Sequence, residues 1–154
     1  MTSIVDVKAA IINILKSDVT LQGLVGKDSR GNYAIYHGYI QHRIHKPCVT
    51  VEDITDQAEV AGLNDAYDGV KRYQWQHAVI QIDCWSDKNA DERDRLQVAV
   101  QECLLKKENQ DALRDSGIIY LQEPLVLPLD EVNVKPPIYR KSLRYHVFYV
   151  LDVS

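Results

Sequence analysis

Residues 73–85 read YQWQHAVIQIDCW, and the reading of this stretch decides the fold. Ala78, Ile80, Ile82 and Cys84 alternate with Trp75, His77, Val79, Gln81, Asp83 and Trp85. Period two predicts a strand with an apolar, core-facing side and a mixed outer side. Ser86-Asp87-Lys88-Asn89 breaks the pattern, and Asn89 with Glu92 three residues on predicts a boxed helix start. Asp91, Glu92 and Asp94 crowd the first turns, where the helix dipole favours negative charge, and Lys106 and Lys107 close the far end. Leu96, Ala99, Val100, Cys103 and Leu104 make one apolar stripe at helical spacing. Strand and helix are therefore built to bury against each other.

Upstream, Ser3 predicts a cap for a first helix, with Asp6 at its third position and Ile4, Val7, Ile11 and Leu15 on its buried face. Ser17-Asp18 begins a second short turn, Val19 to Val25, which Gly26 ends. Ala34 to Ile40 predicts a short strand weakened by Gly38, and Pro47 opens another, Cys48 to Ile54. Thr55 to Arg72 reads as one long connector. Downstream, Asp111 to Ser116 predicts a helical turn stopped by Gly117. Ile118 to Leu127 predicts a strand that Pro124 confines to an edge or bulge. Pro128 to Pro137 reads as loop. Ile138 to Asp152 predicts a long closing strand, with Tyr139, Leu143, Tyr145, Val147, Tyr149 and Leu151 on one face, interrupted by Lys141. The expected architecture is a single α+β domain over 1–154, a mostly antiparallel sheet of four to five strands with two main helices packed on one face.

With 154 residues the chain can bury a real core without disulfides or metal. A net charge of −4 argues against a general nucleic-acid binder, which needs a basic face. Cys48, Cys84 and Cys103 are odd in number, lack CxxC spacing and read as small buried hydrophobes in a reducing compartment. The N-terminus lacks the basic and apolar regions of a signal peptide, and no apolar run approaches the ~20 residues of a membrane helix. A soluble protein made in a cytoplasm is expected.

Two constellations carry possible chemistry. His42-x-x-His45-x-x-Cys48, with His37 upstream, offers borderline-soft ligands of the kind tetrahedral zinc takes. The alternative is a polar loop entering a strand with Cys48 in the core, and the absence of CxxC or HxxxH pairs favours it. Glu52, Asp53 and Asp83 stand on two strands that could be neighbours, and paired carboxylates can hold Mg²⁺ for hydrolysis. No Glu-x-Lys follows Asp83, so this too reads better as strand surface. GxGxxG, GxxxxGK[ST] and GxSxG motifs are absent. Neither a metal, a cofactor nor catalysis is expected. Trp75, Trp85, Tyr73 and Phe148 fall on outer strand faces, where they predict either an aromatic contact patch or a face covered by another segment.

Taken in order, several short motifs form a pattern. They are Leu21-Gln22-Gly23-Leu24-Val25-Gly26 ending the helical N-terminus, Ile35-Tyr36, and Pro47-Cys48-Val49-Thr50-Val51. After a long loop come Ile82-Asp83-Cys84-Trp85-Ser86, an acid-started helix and the closing strand Tyr139 to Val150. In this order the chain resembles the tail terminator, or tail-completion (head–tail joining), proteins of long-tailed bacteriophages and proviruses. It departs from them in a longer, His-rich Tyr33–Lys46 region and a longer Thr55–Arg72 loop.

The resemblance implies a non-enzymatic virion protein, resident in the tail or neck and in the host cytoplasm before assembly. Its subunits would form a homo-oligomeric ring, expected to be hexameric, that caps the tail tube protein and meets a head-side connector protein. DNA would pass through the lumen without specific binding, consistent with an acidic subunit. A closed ring needs two different patches per subunit. Asp87 and Asp91 at the helix start and Lys71, Arg72, Arg140 and Arg144 carry opposite signs suited to such pairing. Trp75 and Trp85 are the aromatic candidates. The Thr55–Arg72 loop, with Asp65 and Tyr67, and the Pro128–Pro137 loop are the expected partner-contacting segments. The competing readings are another neck or connector subunit, a metal-dependent hydrolase using the His/Cys or carboxylate cluster, and a host adaptor that forms no ring.

Overall fold

A computed structural model describes residues 3–38, 47–59, 66–67, 72–135 and 137–152. Gln41 to Pro47 therefore falls almost wholly outside the described residues, as do His42, His45, Asp65 and Lys71.

Helix α1 (Ile4–Ser17) starts as its sequence predicts: the Ser3 backbone N–H donates to the Asp6 carboxylate at 2.9 Å, and Val7, Ile11 and Leu15 are buried. Asp18 then caps α2 (Val19–Val25) by accepting from the Leu21 N–H at 3.0 Å. Gly26 ends that helix with a φ of 67°, a left-handed conformation that glycine adopts without strain. Strand β1 (Ile35–His37) is shorter than Ala34 to Ile40, since Gly38 turns the chain away with a φ of 87°.

Strand β2 (Cys48–Glu59) corrects the expectation of a long connector: Thr55 to Glu59 continues the strand. The reason is a bulge. Asp53 opposes Ile80 and Thr55 opposes Val79, which leaves Ile54 without an opposite number. The extra residue reverses which side each later residue faces, so alternation counted through Ile54 breaks down there. A two-residue strand β3 (Ala66–Tyr67) further divides the connector by pairing with the start of β4 (Arg72–Ser86).

Helix α3 (Ala90–Leu105) is capped by the Asn89 side chain, which accepts from the Glu92 N–H at 2.8 Å. The Glu92 carboxylate does not complete a box. It accepts instead from the hydroxyl of buried Ser86 at 2.8 Å, which ties strand end to helix start. Lys106 does not trail into a loop, because α4 (Lys107–Asp115) follows at once, longer than the expected turn. Strands β5 (Ile118–Leu121) and β6 (Leu125–Pro128) flank Pro124, and both pair with the same edge of β7 (Tyr139–Asp152). The proline thus marks a break in an edge strand, as proline should.

The sheet order is β1-β2-β4-β7-β5, with β6 beside β7 and β3 beside β4. Among the described residues this makes seven strands, more than expected. They are antiparallel except where β1 runs parallel to β2. Four helices rather than two form the single covering layer: α1 lies against β1 and β2, α3 against β4 and β7, and α4 beside β5. Ala78, Ile80, Ile82 and Cys84 of β4 and Leu143, Val147 and Tyr149 of β7 meet the α3 stripe at full burial. Lys141, which shares that face, lies at the sheet's end and reaches Asp94 of α3 at 3.0 Å. Cys48, Cys84 and Cys103 are all buried, and burial drives the Cys84 thiol far above its ordinary range. No helix among the described residues is long and apolar enough to cross a membrane.

Candidate interaction surface

Alternation along β4 and β7 puts a second set of side chains on the side of the sheet away from the helices. At one end of this face lies a tight polar cluster. Trp85 Nε1 donates to the Thr50 hydroxyl at 2.9 Å. The Arg140 guanidinium lies over the indole, 4.7 Å from the ring centre. Arg140 also donates to the Asp83 carboxylate at 3.1 Å, and Gln81 Nε2 donates to both oxygens of Asp83 at 3.1 and 3.0 Å. Thr50, Gln81, Asp83 and Ser142 are buried within this cluster.

The arrangement corrects two expectations. Trp85 is not part of an exposed aromatic patch: it is 7% exposed, whereas Trp75 at the other end is 39% exposed. Asp83 is not open strand surface, because Arg140 and Gln81 occupy its carboxylate. Glu52 and Asp53 are taken up separately: Lys8 of α1 donates to Glu52 at 3.2 Å and to Asp53 at 2.5 Å. The Asp53 carboxyl is held below its usual range by that ammonium, against the opposing effect of burial. Glu52 and Asp53 thus share the Lys8 ammonium, and Asp83 pairs separately with Arg140.

His37 is exposed, with Nε2 3.8 Å from Glu52, while Cys48 is fully buried opposite Trp85. No group of three His, Cys, Asp or Glu side chains converges among the described residues.

The other end of the face carries groups that sequence reasoning did not single out as a unit. His77 stacks on Phe148 with ring centres 4.5 Å apart, and its Nε2 is 2.7 Å from His146 Nδ1. Exposed Tyr120 of β5 tilts against Phe148. These rings meet because His77 opposes Phe148 in the β4–β7 register. The alternation of each strand could place them outward, but only the register brings them together.

The charged candidates divide. Asp87 is exposed, and Asp91 is exposed and bound to Arg95 one turn on, at 3.2 Å. Arg140 is committed to Asp83. The side chain of Arg144, two places along the same face from Ser142, makes no hydrogen bond or ion pair among the described residues, and its Nε is buried. Tyr67 and Arg72 oppose each other in the β3–β4 pairing. Sequence reading missed Arg93, which is buried on α3 and bridges Asp94 at 3.1 Å and Asp130 at the start of the β6–β7 connection. The guanidinium keeps the Asp130 carboxyl below its ordinary range although partial burial works the other way.

No family model matches the chain, and no curated protein matches it. Among solved structures, its fold is similar to that of a chain in the virion of a native gene transfer agent (GTA) particle, with a TM-score of 0.51. The alignment covers 94% of each chain at 17% identity, which establishes a shared fold across nearly the whole molecule.

Proposed function

We propose that this chain is a structural subunit of a phage-like virion, a tail terminator that closes into a ring on the tail tube and meets the head-side connector. The observation that carries the reading is the fold shared with a chain of a gene transfer agent virion over 94% of both molecules. The order of short motifs from Leu21-Gln22-Gly23-Leu24-Val25-Gly26 to the closing strand supports it independently. The surface chemistry is compatible. Ion pairs within the chain occupy Glu52, Asp53, Asp83, Asp91 and Asp94, whereas Arg144 and exposed Asp87 carry charge suited to orienting a neighbouring copy.

The ring reading makes a direct prediction. Purified chain added to polymerising tail tube protein from the same source should cap the tubes. Electron microscopy should show tubes shortened as the added chain increases, each bearing density at one end. Tubes of unchanged length with bare ends would rule the terminator role out.

A further inference from the structure

Two apolar features on the surface lack a covering partner among the described residues. The first is an arm. Beyond β6 the hairpin with β7 continues: the Leu129 N–H donates to the Arg140 carbonyl at 2.8 Å, and Glu131 and Ile138 exchange backbone hydrogen bonds of 2.7 and 2.9 Å. Its base is pinned, because Asp130 accepts from the Arg140 N–H at 2.9 Å and pairs with Arg93 of α3. The turn at 132–135 reads Val-Asn-Val-Lys. Turns in water favour Gly, Asn, Asp and Ser, which satisfy tight backbones without exposing apolar surface. Here Val132 is 63% exposed and Val134 41%.

The second feature is an open groove of about 390 Å³ between α2 and α3. Leu24, Val98 and Ala99 form its floor, and Asp91, Asp94, Arg95 and Glu102 form its rim, where Asp91 pairs with Arg95 and Asp94 with Arg93 and Lys141. Val98 is 49% exposed in the middle of a helix. At about 100° per residue, Asp91, Val98 and Glu102 stand on the side of α3 opposite Arg93. Arg93 holds the base of the arm from the buried side of α3, and Val98 and Glu102 face solvent on the other side.

We infer that the arm of one copy seats in the α2–α3 groove of the next, with Val132 and Val134 against Leu24 and Val98. Lys135 meets Glu102, and Glu131 meets Arg95 in place of that arginine's exposed contact with Asp91. The rim and the arm tip therefore present complementary signs, which select orientation more than they add affinity. Burial of the valines supplies the attraction. One patch pairs with a different patch, so each copy has a free arm and a free groove after every addition, the property that rings require. The inference rests on the ring reading and names its subunit contact.

The test is sedimentation of the full chain over a wide concentration range. It compares the natural sequence, an arm variant (Val132→Asp with Val134→Asp) and a groove variant (Val98→Asp). All three sites are exposed, so the variants should fold, and circular dichroism checks that they do. The natural chain should form species larger than a dimer, and each variant alone should sediment as the 17.6 kDa monomer. An equimolar mixture of the two variants should form a dimer and nothing larger, since the mixture has one intact arm and one intact groove per pair. Oligomers that persist in either variant alone would overturn the arm–groove contact while leaving the ring reading intact. A natural chain that stays monomeric up to about millimolar concentration, where only contacts weaker than roughly 4 kcal/mol escape detection, would overturn it as a self-contact. Tube capping then still decides the terminator role separately.

Discussion

Arg140 and Arg144 share a strand, a face and a residue type, and differ in what they meet. Arg140 spans the indole of Trp85 and the buried carboxylate of Asp83, so removing it leaves that carboxylate with Gln81 alone. Arg140→Met should lower stability by roughly 3 kcal/mol, the usual penalty for stranding one member of a buried pair. Arg144 has no such partner within the described chain, so Arg144→Met should change stability by less than about 1 kcal/mol, and an increase is as compatible as a decrease. Urea midpoints of the two variants, measured at equal denaturant slope, check the contrast. Equal losses would mean that Arg144 is paired after all. The sequence shows two arginines four apart on an outward face and nothing more. Their difference comes from the β4–β7 register, which sets Asp83 opposite Ser142 and within reach of Arg140.

Among the elements, the α1–α2 corner depends most on one side chain. Asp18 is buried, caps α2 through the Leu21 N–H and receives Lys106 at 2.8 Å from the end of α3. Burial alone would raise its carboxyl, but Lys106 and the Leu21 N–H outweigh it and hold the value below the ordinary 3.8. A depressed folded-state value contributes stability above the unfolded-state value, and that contribution is lost as pH falls through the folded one. Asp18→Asn should keep the cap but remove this acid dependence. Denaturant midpoints of natural chain and variant should therefore differ at pH 7 and converge as pH falls through the depressed folded-state value. Parallel pH profiles would show that the charge contributes nothing. The cap itself was legible in Ser17-Asp18, whereas the Lys106 contact was not, because it joins residues from opposite ends of two helices. The bulge at Ile54 was equally hidden: nothing local marks it, and it exists because Asp53 and Thr55 both find partners on β4.

At the scale of the whole molecule, one helical layer covers one sheet, and β4 and β7 lie at its centre with the four helices packed on a continuous core. Such an arrangement predicts a single cooperative unfolding transition, with calorimetric and van't Hoff enthalpies equal. Two resolved transitions would divide the proposed single domain. Ile82→Ala, at the centre of that core, should cost about 2–5 kcal/mol and lower the midpoint without splitting it. The sequence alone determined the central strand and helix, the first helix and its cap, the edge position of the Pro124 segment and the inward faces of β4 and β7. These follow from side-chain period, capping chemistry and the missing proline N–H, all of which act between residues close along the chain. Tertiary structure alone decided the β4–β7 register, the bulge, the burial of Trp85 and Asp83, and the exposure of Val132 and Val98. Those outcomes depend on which distant segments lie side by side, and a chain's local pattern is compatible with many such pairings until packing selects one.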